Sequence, residues 1–181
     1  MGLLSLINNA NFEHSRQVSE ISKLMAEKSG YSQAETAIIT EAALFHDVGK
    51  SAIPPCILNK PASLTSCEFE LVKTHAVVGC KQITEVMQIL TVAALIAGQH
   101  HEYENGHGYY HMSGADIHPY AKLVAVADVF DALYSKRSYK EPWSLADIQE
   151  YFIEQSGKQF DIEMVALLFG MIEDVLKLYK K

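Results

Sequence analysis

The chain has 181 residues, of which 49% are hydrophobic, so it is long enough and apolar enough to form one folded domain with a substantial core. Its net charge of −7 argues against a nucleic-acid polymer as a partner, because such a polymer usually binds to a basic protein face. A small nucleotide is compatible with this charge, since a few local cations or metal ions can hold it.

The three cysteines form no CxxC pair, and no secretory leader is recognisable. An odd number of cysteines in an acidic chain indicates free thiols in a reducing compartment, so we expect a cytoplasmic protein. The apolar stretches 2–7 and 92–98 are too short to span a bilayer, so we expect no membrane segment in this chain.

The first half of the chain has helical periodicity. Apolar residues recur at helical spacing over 18–25 and predict a first helix that ends near residue 30. Ser32 and Glu35 have the spacing of a capping box, which predicts the start of a second helix. We expect this helix to continue into the pair His46-Asp47.

The middle of the chain predicts three further helices. Thr65 and Glu68 form a second candidate capping box and predict a helix that runs toward His75. Gly79 is expected to start another short helix, and Leu90–Gln99 a further one.

The segment Glu102–His118 contains three glycines and predicts a loop long enough to carry function. Helical periodicity returns over Tyr120–Tyr134, and Ser144 predicts another helix start. Asp161 is expected to cap a last helix that runs to Leu178. Because no segment alternates as a strand does, we predict a single all-α domain over residues 1–181.

Histidine and aspartate residues with metal-ligand chemistry are the most informative feature of the sequence. They comprise His14, His46, Asp47, His75, His100, His101 and Asp128. Imidazole nitrogen and carboxylate oxygen together suit iron, manganese or zinc, and a carboxylate can bridge two ions in a site for phosphate hydrolysis. Placing so many polar groups near a core without a metal would cost about 1–3 kcal/mol for each unpaired group.

The order and spacing of these residues resemble the HD-GYP branch of the HD metal-dependent phosphohydrolases. The resemblance rests on His14-Ser, Ala-Leu-Phe-His46-Asp47-Val-Gly-Lys50, His75-x-x-x-Gly79, His100-His101-Glu102 with Gly108-Tyr109, and Val-Ala-Asp128-Val-Phe-Asp131 with Arg137 and Lys140. It implies an all-α helical bundle around two divalent metal ions, most often iron or manganese, with zinc or nickel as alternatives. It also implies hydrolysis of the bacterial second messenger cyclic di-GMP to pGpG and often on to GMP.

The same resemblance implies a role for each candidate residue. One metal would be held by His14, His46, Asp47 and Asp128, and Asp47 would bridge to a second metal held by His75, His100 and His101. Imidazole-rich ligand sets of this kind favour transition metals over magnesium or calcium.

Four residues are candidates for substrate contact. Lys50 would stabilise a phosphate or leaving oxygen in catalysis, and Arg137 and Lys140 would bind phosphate, although all three could be ordinary surface charges. Tyr109 could stack on a guanine or pack in the core.

Two carboxylates are candidates for support around the ligands. Glu102 could orient a ligand histidine, and Asp131, one turn beyond Asp128, could do the same. The alternatives are a loop carboxylate and a helix-surface aspartate, respectively.

The chain departs from the family pattern in three places. Tyr110 stands where the family has proline, so the substrate loop is reshaped and the contact of this loop with partner cyclase domains is in doubt. Ala10 stands where some members carry a glutamate for a third metal, so we predict two ions. His107, His111 and His118 could hold an extra ion or respond to pH, although exposed loop histidines are the commoner case.

Two alternatives to a cyclic di-GMP phosphodiesterase follow from the altered loop. One is an HD phosphohydrolase for another nucleotide or cyclic dinucleotide. The other is a metal-bound, catalytically poor module that senses a cyclic dinucleotide or docks a sensory or cyclase-domain protein.

Overall fold

The computed structural model describes residues 12–87, 91–136 and 141–180. Four residues named from the sequence, Ala10, Leu90, Arg137 and Lys140, lie outside these ranges. The described ranges contain no β-strand beyond an isolated bridge between Ser156 and Phe160, so the prediction of an all-α fold is confirmed.

Helices α1 to α9 follow one another along the described chain, with one 3₁₀ helix after α2. Their bounds are α1 Phe12–Lys28, α2 Gln33–Ala43, the 3₁₀ helix Val48–Ala52, α3 Pro55–Leu58, α4 Ser66–Met87, α5 Val92–Gln99, α6 Pro119–Tyr134, α7 Leu145–Gln155, α8 Ile162–Gly170 and α9 Ile172–Lys177. In the part of the chain that the structure describes, none of the helices is both long and apolar enough to cross a bilayer.

The predicted capping boxes are present. The hydroxyl of Ser32 accepts from the Glu35 N–H at 3.2 Å, and the Glu35 carboxylate accepts from the Ser32 N–H at 2.9 Å. Thr65 and Glu68 make the same reciprocal pair at 3.3 and 2.7 Å, immediately before α4. Each pair satisfies backbone donors that the first helical turn leaves unbonded.

Helix α2 ends earlier than the sequence pattern predicted. It stops at Ala43, and the next residues form tighter turns, with the His46 N–H donating to the Ala43 carbonyl at 3.3 Å. The expectation that this helix reaches His46-Asp47 was therefore wrong. Because the chain tightens here, His46 and Asp47 precede a 3₁₀ helix instead of lying on a regular α-helical face.

Gly79 lies inside α4 and does not start a separate helix, so that prediction was also wrong. Its function is close packing: a Cβ on Gly79 would lie 3.1 Å from the backbone nitrogen of Gly49, and a Cβ on Gly49 would lie 2.5 Å from the backbone nitrogen of Gly79. Two glycines therefore let the 3₁₀ helix and α4 approach closely, which brings Asp47 beside His75.

Helix α6 is the centre of the larger hydrophobic core. It packs against α1, α5, α7 and α8, and apolar side chains such as Leu123 and Phe130 are fully buried. Asp128 and Asp131 lie on this same buried helix, at 7% and 1% exposure. Burial at these positions means that both carboxylates need charged or hydrogen-bonding partners.

The C-terminal segment begins as predicted, with the Asp161 side chain accepting from the N–H groups of Glu163 and Met164. It then breaks at Met171 into α8 and α9, so the expected single final helix was wrong.

Candidate metal centre

The predicted ligand residues come from five parts of the fold and meet at one place. His14 lies on α1, His46 and Asp47 follow α2, His75 lies in α4, His100 and His101 follow α5, and Asp128 lies in α6. Their side-chain atoms form two groups, each with ligand atoms within 4.8 Å of one another. The groups are Asp47 with His75, His100 and His101, and His14 with His46 and Asp128.

Asp47 lies between the two groups. Its Oδ2 is 3.4 Å from His46 Nε2, whereas its Oδ1 is 3.4 Å from His75 Nε2 and 3.7 Å from His100 Nε2. One carboxylate oxygen therefore faces each group. This is the arrangement that a bridging carboxylate requires.

The spacing around Asp128 also fits a shared ion. Its Oδ1 lies 3.0 Å from His14 Nε2 and 3.7 Å from His46 Nε2. Donor atoms held about 2.1 Å from a common ion lie at most about 4.2 Å apart. These separations therefore suit atoms that surround one ion.

The tautomers of three histidines are set by the backbone. In His46, His75 and His100, Nδ1 lies within 3.1 Å of a carbonyl oxygen three or four residues earlier in the chain. Because a carbonyl oxygen only accepts, Nδ1 carries the proton in each ring. The lone pair of the neutral ring is then on Nε2, which points into the cluster.

Within the described residues, the Nε2 atoms of His46, His75 and His100 and the Oδ1 atom of Asp47 are buried without a hydrogen-bond partner. Leaving such atoms unpaired costs about 1–3 kcal/mol each. Metal ions would satisfy all four at once. The donor set thus fits iron, manganese or zinc better than magnesium or calcium, which prefer oxygen ligands alone.

Around His75, His101 and Asp47 the electrostatic environment favours the protonation states that bind metal. Burial lowers the pKa of His75 to about 4, with the nearby Asp47 opposing this effect, and burial also holds the pKa of His101 well below its usual range. Burial acts to raise the pKa of Asp47, but the Lys50 ammonium and the neighbouring histidines, His46 and His100, outweigh it and hold that pKa well below its usual range. These imidazoles are therefore neutral and the carboxylate is ionised.

Asp131 holds His14 from the side away from Asp128. His14 Nδ1 lies 2.6 Å from Asp131 Oδ2. The other oxygen, Oδ1, accepts from the hydroxyls of Ser135 at 2.7 Å and Tyr179 at 2.8 Å. Neither Ser135 nor Tyr179 was predicted as part of the site; the only local signal was the spacing of Ser135, one turn after Asp131.

Burial lowers the pKa of His14, but hydrogen bonds to Asp128 and Asp131 outweigh it and raise that pKa to about 9. The same His14 hydrogen bond is the main influence that lowers the pKa of Asp128 against the opposing effect of burial. His14, Asp128 and Asp131 therefore form one hydrogen-bonded group in the protein interior.

Glu102 makes different contacts from those expected. Its carboxylate accepts from the backbone N–H groups of Tyr110 at 2.8 Å and Met112 at 3.0 Å. Both oxygens therefore bond to the loop, which agrees with the alternative of a loop carboxylate and not with a residue that orients a ligand histidine. The physical reason is that the loop folds back over Glu102 and supplies two donors to a carboxylate that is 4% exposed.

Lys50 and Tyr109 contact different members of the cluster. The ammonium of Lys50 contacts the Asp47 carboxylate and is partly exposed. The ring of Tyr109 lies against the ring of His101, with centroids 4.5 Å apart, and the Tyr109 N–H donates to the His101 carbonyl at 3.3 Å. Tyr109 thus covers the His101 side of the cluster.

The three additional histidines do not join either group. His118 caps α6, where its Nδ1 accepts from the Tyr120 N–H at 3.2 Å. His111 Nδ1 lies 3.1 Å from the Gly106 carbonyl, and His107 is exposed. Each therefore has an ordinary loop or capping position.

The sequence model of the HD domain family matches residues 1–164. The chain therefore belongs to the HD domain family, and the family predicted from the motifs is confirmed.

Two relatives of the chain are named as cyclic-dinucleotide phosphodiesterases. The chain is 43% identical over 157 residues to the "Cyclic di-GMP phosphodiesterase response regulator RpfG" of Xanthomonas campestris pv. campestris, covering 85% of this chain and 42% of that protein. It is 38% identical over 157 residues to the "3'3'-cGAMP-specific phosphodiesterase 2" of Vibrio cholerae, covering 86% of this chain and 30% of that protein. The chain thus spans less than half the length of these relatives.

Among solved structures, Bd1817, an HDG"Y"P protein from Bdellovibrio bacteriovorus, superposes with a TM-score of 0.74 at 24% identity, covering 90% of this chain and 52% of that one. The HD domain of the Listeria monocytogenes phosphodiesterase PgpH, in complex with cyclic-di-AMP, gives a TM-score of 0.66 at 20% identity, covering 97% and 94% of the two chains. At these identities the likeness establishes the fold.

Proposed function

We propose that this domain is a metal-dependent phosphodiesterase that hydrolyses cyclic di-GMP to pGpG, and pGpG further to GMP. The observation that carries the proposal is the convergence of buried, inward-facing imidazole nitrogens around the Asp47 carboxylate. The names of the relatives support a cyclic dinucleotide as the substrate. The reaction adds water across one P–O bond, so the 3′ oxygen leaves phosphorus and takes up a proton.

The proposal assigns the two groups to two metal ions. His14, His46 and Asp128 would hold one ion, His75, His100 and His101 the other, and Asp47 would contact both. Iron or manganese would suit this donor set, with zinc or nickel as alternatives. A bound pair of ions supplies charge neutralisation on the phosphate and lowers the pKa of the attacking water.

Protein side chains would position the rest of the substrate. Lys50 lies at the border between Asp47 and solvent, where its ammonium can reach a phosphate oxygen or the leaving oxygen. Tyr109 presents an aromatic ring beside His101 on which a guanine can stack. Arg137 and Lys140, which fall in a range that the structure leaves undescribed, stay predicted phosphate contacts.

A second candidate substrate is 3'3'-cGAMP. The relative of Vibrio cholerae that is named for this nucleotide is 38% identical over most of the chain, little less than the relative named for cyclic di-GMP. Both nucleotides contain guanine and the same number of phosphodiester bonds. The metal cluster would therefore serve either one, and residues around the base would decide between them.

The test is product analysis with anaerobically purified protein loaded with iron or manganese. The protein is incubated with cyclic di-GMP, 3'3'-cGAMP and cyclic-di-AMP in parallel. Asp47→Ala removes the shared carboxylate, and Asp174→Ala is the matched control, since Asp174 is an exposed carboxylate on α9. We expect linear products from the wild type and the control, and at least about a thousandfold loss in Asp47→Ala.

Two other results would change the assignment. Preference for another nucleotide would move the substrate to the second candidate class. Tight nucleotide binding without product, by protein shown to contain both ions, would instead favour the sensing or docking module. A sensory or cyclase-domain partner and a cytoplasmic location stay predictions that accompany this proposal.

A further inference from the structure

The loop between α5 and α6 is held by a feature that we call the Glu102 clamp, defined as the Glu102 carboxylate with the N–H groups of Tyr110 and Met112. The two hydrogen bonds are 2.8 and 3.0 Å long, and each uses a different carboxylate oxygen. The residue is 4% exposed, so water competes little for these oxygens. Bonds from backbone N–H groups to a buried carboxylate are stronger than those between neutral groups.

The backbone around the clamp is shaped to make both bonds. A Cβ on Gly108 would lie 2.5 Å from the Glu102 Cα and 2.7 Å from its Oε2, so the loop packs directly on Glu102. His111, between the two donors, has a φ of 62°, an uncommon conformation for a residue other than glycine. This local strain turns the N–H groups on either side of His111 toward the same carboxylate.

Tyr110 also ties the loop to α4. Its hydroxyl donates to the Lys73 carbonyl at 2.9 Å, although the side chain as a whole is 42% exposed. Lys73 lies two residues before His75, so this bond connects the loop to the element that carries a predicted metal ligand. Tyr110 therefore contributes two separate contacts, one through its N–H and one through its hydroxyl.

Tyr109 is the residue that these contacts position. It is the immediate neighbour of Tyr110, its ring lies 4.5 Å from that of His101, and the Lys73 ammonium lies 5.6 Å from its ring centroid. Phe69 approaches the same ring edge-on at 6.0 Å. Tyr109 thus joins the histidine cluster to an aromatic and cationic surface where a nucleobase and its phosphate could lie.

We propose that Glu102 and Tyr110 are positioning residues that fix Tyr109 for the nucleotide, and that the backbone N–H of residue 110 is essential to this function. The inference rests on the proposed function, because Tyr109 has a substrate to meet only if the site takes a nucleotide. Proline has no N–H and would leave one oxygen of a buried carboxylate without its donor. At this position the chain therefore depends on a residue other than proline.

The experiment compares three substitutions at one position in the metal-loaded protein. Tyr110→Phe removes only the hydroxyl, Tyr110→Ala removes the side chain but keeps the N–H, and Tyr110→Pro removes the N–H as well. KM and kcat are measured with cyclic di-GMP, and His107→Ala serves as a loop control because His107 is exposed. We expect Tyr110→Pro to raise KM about tenfold above Tyr110→Ala, with a smaller change in kcat.

A double-mutant cycle then links Tyr110 to Glu102. Glu102→Gln keeps the shape of the side chain but can accept only one of the two N–H groups. If the clamp acts as a unit, adding Glu102→Gln to Tyr110→Pro raises KM by less than it does alone. Equal KM values for Tyr110→Pro and Tyr110→Ala, or fully independent effects, would overturn the proposal, as would a loss of thermal stability with no change in KM.

Hydrogen exchange of the Met112 amide separates this inference from the proposed function. We expect exchange at least about tenfold faster in Glu102→Gln and in Tyr110→Pro than in wild type. If wild type yields no product from any cyclic dinucleotide, the proposed function fails, and the same variants are scored by their dissociation constants for cyclic di-GMP. Slow Met112 exchange in both variants, or a dissociation constant that Tyr110→Pro leaves at the Tyr110→Ala value, would then overturn the clamp itself.

Discussion

The contact of the buried Asp131 carboxylate with His14 leads to a prediction about metal affinity. Its Oδ2 contacts His14 Nδ1 at 2.6 Å, so it fixes the ring orientation and makes the opposite nitrogen a better ligand. We expect Asp131→Asn to weaken metal binding at the His14 group by about 10- to 100-fold, because the amide keeps the shape but loses the charge. Metal titration of the apoprotein measures this.

A matched variant tests whether charge or packing is responsible. Tyr179→Phe removes one donor to Asp131 Oδ1 and leaves the carboxylate in place. Its effect on metal affinity should be no more than about fivefold, because the carboxylate that contacts His14 stays in place. Equal affinities in wild type and Asp131→Asn would show that His14 needs no charged partner.

Residue identity and spacing predicted which side chains converge, because imidazole and carboxylate groups in this order are typical of a metal site. His14 and Asp128 are far apart in sequence, yet their donor atoms lie 3.0 Å apart. The hydrogen-bond partners of Glu102 were not predicted from the sequence. Its hydrogen bonds depend on the path of a glycine-containing loop, which periodicity and spacing do not describe.

At the scale of elements, the capping boxes were predictable because they need only local contacts. The C-terminal end of α2 and the continuity of α4 were not, because both depend on packing between elements. Gly79 resembles a helix start in sequence, whereas in the fold its missing side chain admits the backbone of Gly49. Glycine can therefore favour a particular backbone conformation at one position and permit close packing of two backbones at another.

Because the 3₁₀ helix and α4 pack closely at Gly49, we expect a substitution of this glycine to destabilise the fold strongly. A Cβ at residue 49 would meet the backbone of His75 and would lie 2.5 Å from the nitrogen of Gly79. Because backbone atoms cannot move aside as a flexible side chain can, we expect Gly49→Ala to destabilise the fold by about 3 kcal/mol or more and to weaken metal binding. Denaturant unfolding and metal titration measure the two effects.

Gly170→Ala is the control for this substitution. A Cβ there has no atom within 4 Å, and the residue is the last of α8. We expect Gly170→Ala to leave the free energy of unfolding unchanged or to raise it by up to about 1 kcal/mol. If Gly49→Ala behaved like Gly170→Ala, close packing of these elements would not be what places Asp47.

The start of α4 predicts a pH dependence of stability. Glu68 accepts from Lys60 and from Thr65, and these contacts lower its pKa from 4.5 to about 2. The pKa of Glu68 is lower in the folded state than in the unfolded state. The stabilisation that the ionised Glu68 contributes is therefore fully present above about pH 4.5 and is lost as the pH falls toward 2. We expect Glu68→Gln to be less stable than wild type at pH 6, with the difference shrinking in that acidic window.

Denaturant unfolding at a series of pH values measures this difference. Glu70→Gln, which removes one exposed negative charge from the same turn of α4, controls for net charge. A difference between wild type and Glu68→Gln that stays constant from pH 6 to pH 3 would contradict the assigned contacts.

At the scale of the molecule, bound ions at the candidate metal centre would cross-link elements that are distant in sequence. The predicted ligands come from α1, the turn after α2, α4, the end of α5 and α6. Burial of unpaired Nε2 atoms is unfavourable without a cation, while each bound ion stabilises the folded state over the unfolded chain. Local sequence pattern identified these elements, but their meeting point depends on the whole fold.

Metal removal should therefore lower the stability of the whole domain. An ion present at about 100 times its dissociation constant stabilises the folded state by about 2.7 kcal/mol, which for a chain of this size corresponds to roughly 5–10 °C in Tm. We expect chelation to lower Tm by at least this amount, and re-addition of manganese to restore it. His101→Ala should abolish part of the metal-dependent rise, whereas His107→Ala should leave it intact. A Tm that is independent of metal in wild type would contradict a metal centre at this cluster.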